Sequence, residues 1–145
     1  MSFLRAVAVV LAIGLAGSGA ALAQQSPVGV SMQSLDLWPG SPPGGGRGRG
    51  GPERIGQSGT GVGAVSNVSR PRIEIYRPQH PNGTAVLLIG GGGYFRIGIG
   101  HEAMPTAQWL AAIGVTPVVL YYRLPADGWK PVAPFQDAQR AMRLL

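Results

Sequence analysis

The sequence contains no cysteine, few acidic residues and few aromatic residues. Without cysteine, the mature chain forms no disulfide bond. Only 6 acidic residues stand against 12 basic ones, and the formal net charge of +6 is of the sign that nucleic-acid partners require. However, the basic run RGRGG at residues 47–51 is a single short copy, with no aromatic residue beside it to stack on bases. We therefore expect no nucleic-acid partner and interpret this run as part of a solvated tether.

Residues 1–23 have the pattern of a secretory signal peptide. Arg5 gives a short basic start, residues 6–15 are apolar, and Ala-Leu-Ala at residues 21–23 is a small-residue cleavage site. The apolar core is too short, and too rich in Gly and Ala, to span a membrane well. We therefore expect an exported protein, periplasmic or extracellular, with no stable membrane anchor. Because no cysteine lies near the cleavage site, we also expect no attached lipid.

Residues 24–70 are predicted to form a flexible segment. They are rich in Gly, Pro, Ser and Gln, and residues 41–51 are of low complexity, so little apolar surface is present to offset the entropy of ordering. The local exception is LDLWPG at residues 35–40. We expect it to dock as a short edge segment, with Trp38 covering apolar surface.

Residues 71–145 carry the pattern of a folded α/β block. Residues 73–76 alternate as a half-buried strand does, and residues 85–89, AVLLI, predict a strand that is buried on both faces. Residues 116–122 form a second, nearly continuous apolar run. The order is strand, glycine loop, helix, strand, helix, which implies a parallel crossover and therefore an α/β class.

Two helices are predicted in this block. Pro105 suits the first turn of one helix and Gly114 its end, and this helix, which contains Trp109, is expected to pack on the sheet. The other helix starts at Pro134, and its apolar stripe consists of Phe135, Ala138, Met142 and Leu145. A small parallel sheet with one bare face is not expected to be stable alone. We therefore expect the block to be the N-terminal part of a longer domain.

Four consecutive glycines, at residues 90–93, follow the apolar run of residues 85–89. Glycine loses more backbone entropy on folding than any other residue, so a run of it indicates a use. A loop without Cβ atoms at the carboxyl end of a buried strand lies where open α/β sheets bind ligands. Its bare N–H groups can stabilise an oxyanion or cradle a phosphate. The glycines alone leave both uses open.

Four stretches carry a family resemblance: residues 88–94, residues 101–114 with His-Glu and Trp-Leu, residues 122–125, and residues 134–141. In this order and spacing they resemble the exported α/β-hydrolases of the acetyl-xylan esterase and feruloyl-esterase-like group. They are similar, more distantly, to the hormone-sensitive-lipase-like esterases. The resemblance covers about half of the chain and implies an incomplete α/β-hydrolase sheet.

The resemblance implies a serine carboxylic-ester hydrolase that needs no cofactor or metal and acts on a small-molecule or polysaccharide ester. Gly92 and Gly93 would be the oxyanion-hole donors. Gly91 is the alternative donor, because Gly90 stands where the family usually has His or Pro. Tyr94 would either reach a substrate oxygen at the pocket edge or close the strand end as a packed ring. The acyl group, the alcohol and the oligomeric state are not predicted.

The catalytic serine, histidine and acid are not found in the chain. GQSGT at residues 56–60 departs from the Gly-x-Ser-x-Gly elbow because Thr60 replaces the second glycine and no strand leads in, so Ser58 is not expected to be the nucleophile. His80 and His101 precede the position of the catalytic histidine in the family's chain order, and His101 is expected to form hydrogen bonds at the helix start. We therefore expect the chain to end before the nucleophile and to be inactive alone.

Two charged residues, Arg123 and Asp137, lie in an otherwise apolar layer. We expect Arg123 at a strand end and Asp137 in the first turn of a helix to pair and to hold the loop between them.

Two other classes of function remain as alternatives. Residues 98–103 satisfy the Gly-x-Gly-x-x-Ala spacing of a dinucleotide-binding protein, although the fingerprint does not follow its strand directly. A non-catalytic, exported carbohydrate-binding module is the other alternative, with Trp38, Trp109 and Trp129 as candidates for stacking on sugars.

Overall fold

The computed structural model describes residues 30–145, so the expected signal peptide lies outside the described residues. In chain order the elements are β1 (Ser31–Asp36), β2 (Arg54–Ile55), β3 (Val65–Ser66), β4 (Arg72–Arg77), β5 (Ala85–Leu88), α1 (Met104–Ala112), β6 (Thr116–Tyr121) and α2 (Ala133–Leu144). A single π-helical turn, Ile99–Ala103, leads directly into α1. The α/β class is confirmed. Neither of the helices within residues 30–145 is long and apolar enough to cross a membrane.

The main sheet has four strands in the order β1-β4-β6-β5. β5 and β6 run parallel, with Ala85 opposite Thr116, and the connection between them contains α1. This parallel crossover is the one that the sequence predicts. β4 is antiparallel to both β1 and β6, which makes the sheet mixed. The carboxyl end of β5 therefore opens next to the carboxyl end of β6, where open α/β sheets place their ligands.

The deeply buried strand of the sheet is β6, all six residues of which are buried. The prediction that residues 85–89 are buried on both faces is wrong for the described structure. β5 lies at the end of the strand order, its residues are exposed or half-buried, and Ile89 is 54% exposed. An apolar run predicts a strand but does not say whether a second neighbour covers it, and among residues 30–145 β5 pairs with β6 alone.

The helices form where they are predicted, but their exposed faces differ from the prediction. In α1 the sheet-facing residues are Ala107 and Leu110, whereas Trp109 is 63% exposed because it is rotated by about 100° from Leu110 on the helix. In α2 the predicted stripe is largely exposed at Phe135, Met142 and Leu145. The buried face instead consists of Ala133, Pro134, Asp137 and Ala141, since Asp137 contacts Arg123 beneath the helix.

Residues 30–70 are part of the fold, in contrast to the flexible segment predicted for residues 24–70. β1 adds an edge strand, Leu37 after it is fully buried, and the indole of Trp38 donates to Asp137 Oδ1 at 2.8 Å. The docking predicted for residues 35–40 is therefore confirmed. Further along, the Pro43 carbonyl accepts a 2.7 Å hydrogen bond from Arg123 Nη1. Composition does not predict this order because it depends on distant partners, through hydrogen bonds such as these and through the burial of Leu37, Val65 and Val68 in the core.

Candidate functional site

The glycine loop follows the carboxyl end of β5, as predicted, and turns back sharply. Gly92 has a φ of +136° and Gly93 a φ of +61°, values that residues with a Cβ rarely adopt. A Cβ at Gly92 would overlap the carbonyl oxygen of Arg96, whereas a Cβ at Gly93 would meet nothing nearer than Phe95 Cδ2 at 3.6 Å. Glycine is therefore required at position 92 by a close backbone approach as well as by its φ.

The base of the loop is held by hydrogen bonds. The hydroxyl of Tyr122 donates to the Gly90 carbonyl at 2.8 Å in a buried position. Burial raises the pKa of Tyr122, which keeps this hydroxyl protonated as a donor. The Gly91 carbonyl accepts from Gly98 N–H at 2.8 Å, and Gly91 N–H donates to Glu102 Oε2 at 2.7 Å. Gly90 is thus held by the residue that follows β6, and Gly91 by the turn that precedes α1.

The tip of the loop carries two unengaged donors. Within residues 30–145, the N–H groups of Gly92 and Gly93 donate to no backbone or side-chain acceptor. The Gly92 carbonyl is engaged, because it accepts from Phe95 N–H at 3.1 Å and closes the turn. Of the three glycines that the sequence offers as donors, Gly92 and Gly93 therefore keep free N–H groups, whereas the N–H of Gly91 is occupied by Glu102.

An open groove with a volume of about 340 Å³ lies along the loop. Its walls are the loop itself, Ile89, Tyr94, Tyr122 and the start of α2 at Pro134 and Phe135. No Lys, Arg, Asp or Glu side chain among the described residues lines it. The groove therefore has an apolar surface and is lined by the two residues whose N–H groups are free, a combination that suits an uncharged ligand with one polar atom.

Tyr94 lines the groove, is 46% exposed as a residue and has a backbone φ of +64°. A left-handed conformation in a residue with a bulky side chain is strained by about 1–2 kcal/mol. We expect the Tyr94→Gly variant to have a free energy of unfolding about 1 kcal/mol higher than that of Tyr94→Ala, since both lack the ring and only alanine keeps the strain. Chemical denaturation of the two variants measures the difference, and equal stabilities would contradict the positive φ.

The other candidate residues from the sequence, Ser58, His80 and His101, do not form a catalytic arrangement. Ser58 is exposed and precedes a 3-10 turn, Gly59–Gly61, with no strand leading directly into it. His80 is exposed in a bend after β4. His101 lies in the π-helical turn before α1, where its Nε2 is 3.4 Å from Glu102 Oε1. Within residues 30–145, no three side chains of the metal-binding types cluster as an ion site requires.

Arg123 and Asp137 form the pair that the sequence predicts. Arg123 Nη2 lies 2.8 Å from Asp137 Oδ1, Arg123 Nε lies 2.9 Å from Oδ2, and both side chains are fully buried. The backbone N–H of Arg123 also donates to Oδ2 at 2.9 Å. The Trp129 ring lies 5.2 Å from the guanidinium carbon. This pair fixes the start of α2 against the end of β6, and hence the wall of the groove at Phe135.

Glu102 is the residue that sequence reasoning overlooked. It appears within one of the stretches that carry the family resemblance, but its spacing from Gly91 predicts no contact. The contact exists because the loop folds back on the start of α1, a tertiary feature without a periodic signal.

The fold is of the α/β class, and the sequence is similar to that of a carbohydrate esterase. An acetylxylan esterase from Xylanibacter ruminicola is 30% identical over 80 residues, which are 54% of this chain and 17% of that protein. This match confirms the resemblance to acetyl-xylan esterases. The crystal structure of an acetyl ester-xyloside bifunctional hydrolase from Caldicellulosiruptor lactoaceticus has a TM-score of 0.43 and 30% identity, covering 71% of this chain and 36% of that chain. No protein-family model matches the chain.

The chain spans only 17% of the length of the acetylxylan esterase that it matches.

Proposed function

We propose that this chain supplies the oxyanion loop of an exported serine carboxylic-ester hydrolase of the carbohydrate-esterase type. The observation that carries the proposal is the pair of adjacent, unengaged N–H groups at Gly92 and Gly93, beside an apolar groove at the carboxyl end of β5. The similarity to an acetylxylan esterase supports the class of reaction. The pattern of residues 1–23 supports export.

In the proposed reaction, a serine hydroxyl attacks the ester carbonyl, and a histidine, held by a carboxylate, takes the serine proton. Negative charge then builds on the carbonyl oxygen, where the N–H groups of Gly92 and Gly93 would donate to it. Each such donor is worth about 3 kcal/mol of barrier when it is fixed in advance. The hydrogen bonds to Gly90 and Gly91 supply that fixation at the base of the loop. In the α/β-hydrolase chain order, the serine, the carboxylate and the histidine would all follow the glycine loop.

The electrostatics of the loop favour an ester over a phosphate. A phosphate carries a full charge and is usually met by Lys or Arg as well as by backbone N–H groups, but no basic side chain among the described residues lines the groove. The carboxylate of Glu102, on the N–H of Gly91, would also repel a phosphate. An ester carbonyl is neutral in the ground state and acquires charge only in the transition state, when two N–H donors suffice.

The dinucleotide-binding alternative is disfavoured by the backbone around residues 98–103. Gly98 N–H donates to the Gly91 carbonyl at 2.8 Å, and Gly100 N–H donates to the Gly63 carbonyl at 2.9 Å. The donors that would hold a pyrophosphate are therefore engaged within the protein.

The carbohydrate-binding alternative is disfavoured by the tryptophans. The indole N–H of Trp38 donates to Asp137, and that of Trp129 donates to the Val68 carbonyl at 3.2 Å. Trp109 is the exposed one of the three, on α1. Of the three tryptophans that could stack on sugars, only Trp109 is therefore exposed in the part of the chain that the structure describes.

Hydrolysis of p-nitrophenyl acetate and release of acetate from acetylated xylan test the proposal. We expect both activities in the full-length gene product, and we expect a serine-directed phosphonate to abolish them. Residues 1–145 alone serve as the matched control and are expected to be inactive, because in the α/β-hydrolase chain order the triad follows the oxyanion loop. A full-length product that hydrolyses neither ester would contradict the proposal.

A further inference from the structure

We propose that Glu102 is a positioning residue for the glycine loop: its carboxylate occupies the N–H of Gly91 and leaves the N–H groups of Gly92 and Gly93 as the donor pair. This inference rests on the proposed esterase function and deepens it. The hydrogen bond from Gly91 N–H to Glu102 Oε2 is 2.7 Å long, the length of a charge-assisted bond.

Both polar groups of the Gly91 backbone are held by the same segment. Its carbonyl accepts from Gly98 N–H at 2.8 Å, and its N–H donates to the side chain of Glu102. Glu102 is in turn fixed within the π-helical turn, because its own N–H donates to the Gly98 carbonyl at 3.2 Å. Gly91, which precedes the donor pair, is therefore held near the start of α1 by two hydrogen bonds. It is the acceptor in one of them and the donor in the other.

The carboxylate lies in a slot that two glycines leave open. A Cβ at Gly98 would lie 2.6 Å from Glu102 Cδ, and a Cβ at Gly91 would lie 3.3 Å from Glu102 Oε2. A side chain at position 98 would force the Glu102 carboxylate to shift, and one at position 91 would crowd it. Glycine at positions 91 and 98 therefore leaves room for the carboxylate of Glu102. The role of Gly92 and Gly93 as oxyanion donors does not explain why these two positions are glycine.

Glu102 has two effects on the proposed reaction, and they have opposite signs. Its hydrogen bond orients the loop, which favours the transition state, whereas its negative charge close to a developing oxyanion opposes it. The side chain is 48% exposed, and His101 Nε2 lies 3.4 Å from the second carboxylate oxygen, so water and a polar neighbour screen the charge. We therefore expect the orienting effect to dominate.

Glu102→Ala and Glu102→Gln in the full-length product separate these effects. We expect alanine to lower kcat for p-nitrophenyl acetate by about tenfold or more with KM within about twofold, since the donors act on the transition state. Glutamine keeps an acceptor oxygen and removes the charge, so its kcat is expected to stay within about threefold of wild type. Asp36→Ala removes an exposed carboxylate on β1 that pairs with Arg70, far from the loop in sequence, and is the control expected to leave kcat unchanged.

The exchange rate of the Gly91 amide proton, measured by NMR on [15N]glycine-labelled protein, is a readout independent of activity. We expect protection in wild type and Glu102→Gln, and exchange at least about tenfold faster in Glu102→Ala, because the amide loses its acceptor. Equal exchange in all three proteins would overturn the Glu102 contact. Normal kcat in Glu102→Ala would overturn its positioning role. Absence of ester hydrolysis in wild type would instead overturn the proposed function, and with it the catalytic part of this inference, while the exchange rates still decide the contact.

Discussion

A Gly92→Ala variant of the full-length product is expected to lose kcat for ester hydrolysis by about 10²–10³-fold, the loss seen when one oxyanion donor is removed. The φ of Gly92 is +136°, and an added Cβ would overlap the Arg96 carbonyl oxygen. The loop must therefore move, and both N–H donors at its tip move with it. Steady-state kinetics with p-nitrophenyl acetate measure the loss, and KM is expected to change little because these donors act mainly on the transition state.

Gly83→Ala is the matched control for this variant. Gly83 also has a positive φ, +87°, but an added Cβ there would meet no atom within 4 Å, and the residue lies in the turn before β5 rather than in the loop. We expect the control to lose about 1 kcal/mol of stability through backbone strain and to keep its kcat. Wild-type kcat in Gly92→Ala, or an equal loss in Gly83→Ala, would contradict the assignment of the loop.

Removal of one partner of the buried ion pair is expected to have the largest effect on stability. Asp137→Leu should lower the free energy of unfolding by about 3–5 kcal/mol, because the Arg123 guanidinium would stay buried without its counterion. Both side chains are fully buried, and the Trp38 indole would lose its acceptor as well. Urea denaturation followed by circular dichroism measures the loss, and Arg123→Met is expected to lose a similar amount.

The double variant Arg123→Met/Asp137→Leu tests whether the two losses share one interaction. We expect the double variant to lose clearly less stability than the sum of the single variants, since no charge is left unpaired. The control is the pair formed by Arg70 and Asp36, whose side chains are 77% and 41% exposed and which should contribute less than about 1 kcal/mol. Additive losses at Arg123 and Asp137 would contradict the pairing.

Local patterns were sufficient to predict the elements near the loop. The apolar runs at residues 85–89 and 116–122 gave two strands, and the helix between them implied the parallel crossover. Arg123 and Asp137 were predicted to pair for a physical reason: a charge within an apolar layer needs a partner of opposite sign.

Contacts between residues far apart in sequence could not be predicted from such patterns. Residues 30–70 are rich in glycine and proline, and their order depends on partners such as Arg123, which bonds to the Pro43 carbonyl across 80 positions. The face of α2 was misassigned because the apolar stripe at Phe135 suggests a buried side, while the ion pair of Asp137 buries the opposite one. The contact of Glu102 with Gly91 is likewise set by the turn of the loop and not by any sequence period.

In the proposed reaction, the N–H groups of Gly92 and Gly93 receive the charge that develops on an ester oxygen. A crystal structure of the full-length product inactivated by a phosphonate ester, which mimics the tetrahedral intermediate on a serine, tests it most directly. We expect the phosphonyl oxygen within about 2.7–3.1 Å of both nitrogens, the separation that defines an oxyanion hole. A covalent adduct whose oxygen is bound by other donors, with Gly92 and Gly93 turned away from it, would contradict the claim.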